Sequence, residues 1–193
     1  METTNLVLAG VGGQGILLAA EIIAKAAMLS GYDVKTNEIH GMAQRGGSVI
    51  AQIRFGEKVY SPLIAEGTAD VLCAFEQMES IRYGHYLSEK GIAIVSDQAI
   101  IPVTVSSGKA HYPHDIKNRL DNIFKNLVYL NSVEIAEKLG NIKVTNIILI
   151  GALSNHLNIS EDIWKQAIET CVKPKFIALN LKAFAEGKKI GNN

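Results

Sequence analysis

Short apolar runs and longer helical stretches alternate along the chain. The apolar runs predict buried strands at residues 6–9, 71–75, 92–95 and 127–130. The stretches predicted to be helices are residues 16–29, 76–90, 113–124, 133–139, a segment that begins after Ser160, and residues 174–185. Strands that alternate with helices pair in parallel and are covered by helices on both faces. The pattern therefore predicts an α/β domain of three layers, α/β/α, around a largely parallel sheet.

One region predicts antiparallel strands instead. Residues 48–55 alternate apolar and polar side chains with a period of two, which indicates a half-exposed strand. A turn at Gly56 and Glu57 leads to residues 58–60 as the returning strand of a hairpin, and Pro62 ends the pairing. The sheet is therefore expected to be mixed.

Three further stretches have weaker patterns. Residues 33–38 are predicted to be the second strand of the sheet. Residues 100–105 are predicted to be an extended edge segment, because Pro102 interrupts them. Residues 144–153 form an apolar stretch that contains Asn146.

The first predicted strand leads into a glycine-rich turn with the sequence G-V-G-G-Q-G, which begins at Gly10 and continues directly into the first predicted helix. In this context Gly10 is expected to permit a tight turn and Gly12 the close approach of a charged ligand. Gly15 is expected to let the helix and the strand pack closely. The first N–H groups of the helix then favour an anion. The alternative is that these glycines serve only packing at the sheet edge.

The turn differs from a plain dinucleotide-binding turn. Glu38 lies near the distance at which an NAD site places its acidic residue. However, Gly13 and Gln14 add a third glycine and an amide that such a turn does not require. A phosphate, a carboxylate or a nucleotide therefore all stay open as ligands.

The loop after the second predicted strand carries reactive side chains next to glycines. His40 and Arg45 are followed by Gly46 and Gly47. Arg45 could bind a carboxylate or phosphate with two parallel hydrogen bonds, and the two glycines would let a ligand or a partner's backbone come close. The alternative is that Arg45 pairs with Glu38 and that His40 caps the end of a strand.

The composition indicates a single domain that binds neither nucleic acid nor a membrane. The chain has 193 residues, of which 48% are hydrophobic, and its 19 basic and 19 acidic side chains give a formal net charge of zero. We expect one domain at residues 1–187 and a solvated tail at residues 188–193. The opening residues have no signal-peptide pattern, and no apolar run has the length of a membrane span.

The cysteines and histidines predict no metal site in this chain. Cys73 and Cys171 are the only cysteines, and we expect both to be buried free thiols in a cytoplasmic protein. Two cysteines are too few for a four-cysteine iron–sulfur cluster or zinc site. His111 and His114 have no acidic partner at metal-site spacing except Asp115. No pattern identifies a catalytic residue.

The two glycine motifs and the hairpin resemble those of the small, gamma-type subunit of 2-oxoacid:ferredoxin oxidoreductases. The motifs are G-V-G-G-Q-G at residues 10–15, H-G-M-A-Q-R-G-G at residues 40–47 and the hairpin at residues 48–62. Within this family the sequence is most similar to subunits of the indolepyruvate enzymes. The resemblance covers nearly the whole chain, and the two motifs together are far more specific than either alone.

The resemblance implies oxidative decarboxylation of a 2-oxoacid to an acyl-CoA, with coenzyme A as co-substrate and electrons passed to ferredoxin. This chemistry needs thiamine diphosphate with Mg and 4Fe-4S clusters. The chain lacks the cysteines for a cluster and a Gly-Asp-Gly segment for thiamine diphosphate, so these cofactors are expected on a large catalytic partner subunit. The residues expected to face coenzyme A, thiamine diphosphate or the partner are Gly10, Gly12, Gly13, Gln14, Gly15, His40, Arg45, Gly46 and Gly47.

Two other functions fit a glycine turn of this kind. A stand-alone nicotinamide enzyme would bind NAD or NADP tightly, but the sequence offers it no obvious catalytic acid or base. An adenylating enzyme would hold ATP at the turn, but it would need an acidic magnesium ligand, and usually a reactive cysteine or cysteine pairs, none of which is evident.

Overall fold

The computed structural model describes residues 3–41, 46–109 and 111–190, and within this part of the chain the strands form one mixed sheet. The strands are β1 (Thr4–Val11), β2 (Asp33–His40), β3 (Ser48–Gly56), β4 (Ala69–Ala74), β5 (Leu87–Ser96) and β6 (Leu127–Leu130). Their order in the sheet is β2-β3-β1-β4-β5-β6. Strands β1, β4, β5 and β6 are parallel, and β3 is antiparallel to both β1 and β2. The predicted mixed, largely parallel sheet is confirmed.

Helices cover both faces of the sheet. They are α1 (Ile16–Leu29), α2 (Gln77–Tyr83), α3 (Val103–Ser106), α4 (Ile116–Ile123), α5 (Ser132–Lys138), α6 (Thr145–Ser154), α7 (Glu161–Cys171) and α8 (Ile177–Ile190). The larger core packs α1 and α5 to α8 against one face, and the smaller core packs α2 and α4 against the other. None of the described helices is long and apolar enough to cross a bilayer.

Strand β1, in the middle of the sheet, shows why a continuous apolar run predicts a buried strand. In β1, Leu6 and Leu8 belong to the larger core, whereas Val7 and Ala9 belong to the smaller one. All four side chains are fully buried, because both faces of the strand are covered. A strand in this position has no polar side and therefore appears as a continuous apolar run.

The predicted hairpin has a different partner strand. Strand β3 pairs with β2 over eight residue pairs, from Asp33 opposite Gly56 to His40 opposite Val49. Residues 58–60 are not a strand. The Val59 N–H donates to Asp33 Oδ2 over 2.9 Å as the chain leaves the sheet. The pattern at residues 58–60 was too short to identify the partner of β3. The polar strand β2 pairs with β3 instead and lies at the edge of the sheet.

Two other predicted elements are wrong in extent or type. The helix predicted at residues 76–90 ends at Tyr83, because Leu87 already pairs with Ala69 as the start of β5. The edge segment predicted at residues 100–105 contains α3 instead. Pro102 precedes this helix and accepts the N–H of Val105 over 2.9 Å, so the proline starts a helical turn.

The apolar stretch around Asn146 is helix α6, which is buried all round and packs across α8. The two helices approach closely at Gly151 and Gly187. A Cβ atom added at Gly187 would lie 1.9 Å from the carbonyl oxygen of Ile148. The last helix was predicted to end at residue 185, but α8 continues to Ile190 and therefore includes Gly187 and the first three residues of the predicted tail. Residues 191–193 lie outside the described part of the chain.

The α6–α8 contact makes Gly187→Ala a test of the fold. Alanine is the better helix former, so propensity alone would stabilise α8 by about 1 kcal/mol. The steric conflict with the Ile148 backbone should reverse the sign and lower the free energy of unfolding by about 1–3 kcal/mol or more. Denaturant unfolding measures the change. Gly41→Ala is a control outside the helices, because a Cβ there meets no atom of the described residues within 4 Å. Equal stability of both variants would show that the helices do not cross this closely.

Candidate functional site

The glycine turn (residues 10–15) lies at the carboxyl edge of the sheet, between β1 and α1. Gly13 and Gly15 have φ values of 109° and 78°, which are left-handed conformations that favour glycine. Gly10 lies inside β1, so the expectation that it makes the tight turn is wrong. Gly10 instead allows close packing, since a Cβ there would lie 2.9 Å from the Cβ of Phe75.

The backbone of Gly12 joins the turn to the second glycine motif. Its N–H donates to the Gly47 carbonyl over 2.8 Å, and its carbonyl accepts the Gly46 N–H over 3.2 Å. The structure therefore brings these three predicted site residues together. It also occupies the Gly12 N–H, so a ligand at the turn must use other donors. Arg45 lies outside the described residues.

The side chain of Gln14 joins the turn to the segments that follow β4 and β5. Its Oε1 accepts the Val11 N–H over 2.7 Å. Its Nε2 donates to the Phe75 carbonyl, which follows β4, and to Gln98 Oε1, which follows β5, over 2.7 Å in both cases. The amide group is thus fully engaged within the protein. Gln14 shapes the turn, and its side chain has no free donor for a ligand.

A cleft of about 550 Å³ opens on one side of the turn. We call it the lysine cleft. Polar groups on its wall come from Gly13, Gly15, Gln98, Lys143, Thr145 and Asn146. Asn146 is buried, and its Nδ2 donates to the Gly15 carbonyl over 3.3 Å. This bond connects the start of α6 to the start of α1, so the N-termini of two helices border the same cleft.

The lysine cleft is positively polarised. Neither α1 nor α6 has an acidic residue in its first turn, so these turns carry no carboxylate that would offset the partial positive charge of the helix ends. Lys143 adds a full charge and is exposed, and it has no ion pair with any residue that the structure describes. The Asn141 side chain accepts the Lys143 N–H over 3.0 Å and fixes this short turn. The arrangement suits an anionic group such as a phosphate.

A second, more apolar pocket of about 430 Å³ opens on the other side of the turn. Its lining includes Gly12, Gly13, Leu17, Val49 and His40. His40 is exposed at the end of β2, and its Nδ1 lies 3.4 Å from the Gly41 carbonyl. His40 therefore lines a pocket beside the glycine turn, on the side opposite to Lys143.

The cysteines are poorly placed for chemistry. Cys73 is buried in β4, and burial raises the pKa of its thiol far above the usual range. Burial also raises the pKa of the half-buried Cys171 thiol. The raised pKa values favour the protonated thiols, which are weaker nucleophiles than thiolates. Among the described residues, no three His, Cys, Asp or Glu side chains are grouped to hold a metal ion.

Lys143 and Gln98 were not singled out from the sequence. Gln98 lies 84 residues from its hydrogen-bond partner Gln14. Lys143 is a single basic residue without a surrounding motif. Only the sheet order and the position of α6 bring these residues to the turn, so no local pattern could have identified them.

The fold and the site define an α/β protein with a Rossmann-like glycine turn at the carboxyl edge of a mixed sheet. The chain belongs to the pyruvate ferredoxin/flavodoxin oxidoreductase family, whose profile matches residues 5–190. It is similar to the indolepyruvate oxidoreductase subunit IorB of Thermococcus kodakarensis, with 43% identity over 98% of this chain and 96% of that protein. The expected family is therefore confirmed, and the chain is an oxidoreductase subunit rather than a stand-alone nucleotide-binding protein.

Two solved structures share the fold. The gamma subunit of the keto/oxoacid ferredoxin oxidoreductase from Geobacter sulfurreducens matches with a TM-score of 0.73 and 24% identity, over 98% of both chains. The 2-oxoglutarate:ferredoxin oxidoreductase from Magnetococcus marinus matches with a TM-score of 0.76 and 23% identity, over 100% of this chain but 31% of the other. In the second protein the same fold is thus one part of a longer polypeptide.

Gln14→Glu tests the attachment of the turn. A carboxylate of the same shape would face two acceptors, Phe75 O and Gln98 Oε1, which would raise its pKa in the folded state. Relative to the unaltered chain, stability should be kept below the unfolded pKa of about 4.3 and lost as the pH rises through the raised folded pKa. We expect a loss of about 1–3 kcal/mol at pH 7 and little loss near pH 4.

Denaturant unfolding at both pH values measures this difference. Gln166→Glu on the exposed side of α7 is the matched control. A loss that does not change with pH, or that the control shares, would contradict the role given to Gln14.

Proposed function

We propose that this chain is the non-cluster subunit of an enzyme that oxidatively decarboxylates indolepyruvate, or a related 2-oxoacid, to an acyl-CoA and passes the electrons to ferredoxin. Membership of the family and the full-length similarity to an indolepyruvate oxidoreductase subunit support this proposal. The substrate identity rests on that similarity alone. We further propose that the enzyme works in the cytoplasm.

The redox cofactors belong to a catalytic partner subunit in this proposal. Thiamine diphosphate with Mg and the 4Fe-4S clusters would supply the decarboxylation and electron-transfer chemistry there. The residues of this chain do not fit a cluster, because it has two cysteines and one of them, Cys73, is fully buried. The occurrence of this fold within a longer chain in the Magnetococcus marinus enzyme is consistent with a subunit that packs against a larger one.

This chain contributes a wall of the active-site cleft and binds the phosphates of coenzyme A. The observation that carries this proposal is the lysine cleft, where Lys143 and the N-termini of α1 and α6 meet at the glycine turn. Coenzyme A supplies the thiol that accepts the acyl group, and its phosphates are the anions that such a corner favours. The Magnetococcus marinus enzyme, which shares the fold, was solved with coenzyme A and succinyl-CoA bound.

Lys143→Ala tests the phosphate contact in the enzyme assembled from this chain and its catalytic partner. Loss of a charge-assisted hydrogen bond costs about 1.5–3 kcal/mol, so the KM for coenzyme A should rise about 10-fold to 100-fold. The KM for the 2-oxoacid should not change. Lys143→Arg should keep most of the affinity. Lys182→Ala on the exposed face of α8 is the control. An unchanged KM for coenzyme A in Lys143→Ala would refute binding in this cleft.

Arg45 remains a candidate from the sequence for the same ligand or for a carboxylate of the partner. Arg45→Ala should raise the KM for coenzyme A if it binds a phosphate, or weaken the subunit complex if it binds the partner. Arg45→Lys keeps the charge but loses the planar guanidinium group, so it should restore only part of the loss. The two measurements are the KM for coenzyme A and the subunit dissociation constant. If neither changes in Arg45→Ala, the assignment is wrong.

A further inference from the structure

A buried carboxylate on α2 contacts Ser48 at the start of β3. Ser48 directly follows Gly46 and Gly47, which pair with the glycine turn. Glu79 is 5% exposed. Its Oε2 accepts the hydroxyl hydrogen of Ser48, and its Oε1 accepts Arg82 Nε over 3.1 Å. The Tyr83 hydroxyl lies 2.9 Å from Ser48 Oγ. Since Ser48 donates its own hydrogen to Glu79, Tyr83 is the donor in this second bond. The Ser48 side chain is thus held by two residues of one helix.

Ser48, which Glu79 and Tyr83 hold as an anchor, directly follows the two glycines that pair with the backbone of Gly12. Gly47 accepts the Gly12 N–H over 2.8 Å, and Gly46 donates to the Gly12 carbonyl over 3.2 Å. Glycine backbones have many accessible conformations, so two successive glycines need an external restraint to hold such a pairing. Ser48 follows them immediately and pairs with Val11 in the β1–β3 ladder.

Helix α2 is itself fixed to the other side of the turn. Glu76 is 1% exposed, and its Oε2 accepts the N–H groups of Met78 and Glu79 over 2.7 Å and 3.0 Å. The Gln77 N–H donates to the Gln98 carbonyl over 3.0 Å. Gln98 in turn accepts from Gln14. The first turn of α2 therefore connects to the glycine turn by two separate routes, through Gln98 and through Ser48.

We propose that Glu79 and Ser48 are positioning residues for the coenzyme A cleft: they hold Gly46 and Gly47 against the Gly12 peptide and keep the glycine turn in the conformation that binds. This inference rests on the proposed function. When only a fraction of the protein molecules has the conformation that binds the ligand, the apparent affinity falls in proportion to that fraction. Loss of the anchor therefore raises the KM for coenzyme A and leaves kcat at saturating coenzyme A unchanged.

The experiment compares Ser48→Ala, Glu79→Gln and Ser48→Thr in the assembled enzyme. Ser48→Ala and Glu79→Gln should raise the KM for coenzyme A about tenfold, with kcat and the KM for the 2-oxoacid unchanged. Ser48→Thr keeps the hydroxyl and should restore most of the affinity. Ser160→Ala is the matched control, because the Ser160 side chain makes no capping hydrogen bond to α7.

Amide hydrogen exchange gives a readout that does not depend on catalysis. In Ser48→Ala the amides of Gly12 and Gly46 should exchange about tenfold faster, while amides of the central strand β1 do not change. The inference is overturned if Ser48→Ala leaves both the KM for coenzyme A and the exchange of Gly12 and Gly46 unchanged, or if Ser48→Thr fails to restore what Ser48→Ala loses. It is equally overturned if the variants only lower the unfolding temperature.

The same assay separates this inference from the proposed function. If Lys143→Ala raises the KM for coenzyme A and Ser48→Ala does not, the cleft binds coenzyme A and only the positioning role fails. If Ser48→Ala changes the exchange of Gly12 and Gly46 while no variant alters the KM for coenzyme A, the anchor holds the turn but the proposed ligand is wrong, and the inference fails with it.

Discussion

The amide side chain of Gln14 is the interaction on which the site geometry depends. It accepts one backbone N–H from β1 and donates to groups that follow β4 and β5, so a single residue joins the ends of three parallel strands. A side-chain amide suits this position, because its oxygen accepts a hydrogen bond while its NH2 group donates two. The left-handed turn at Gly13 and Gly15 is therefore held from within, and the N–H groups at the start of α1 stay directed at the cleft.

The buried crossing of α6 and α8 has a consequence at the same site. Gly151 and Gly187 let the two helix backbones approach, which seats α6 deep in the larger core. The start of α6 then meets the start of α1, where Asn146 bonds to the Gly15 carbonyl. Lys143 lies about one helical turn before Asn146 and therefore reaches the edge of the cleft. A packing contact in the second half of α6 thus helps to position a charge just before the start of this helix.

The sequence predicted the elements whose signals are local. Helix α1 and the buried strands were placed correctly because their apolar patterns are complete within each segment. The partner of β3 was missed, since the choice between β2 and residues 58–60 depends on pairing and not on pattern. The helix predicted at residues 76–90 is too long, because the polar residues at the start of β5 have a pattern that also fits a helix. The glycine turn was recognised, but Lys143 and Gln98 required the sheet order to be known.

The distribution of polar groups explains what this chain can contribute to catalysis. Buried polar side chains such as Glu76, Glu79 and Asn146 are engaged in hydrogen bonds within the protein, and each restrains a segment that borders the glycine turn. These hydrogen bonds hold the geometry of the turn. The exposed Lys143 side chain and the helix N-termini carry the positive polarisation, which attracts an anion but breaks no bond. A preorganised wall of this kind lowers the ordering cost of binding a ligand.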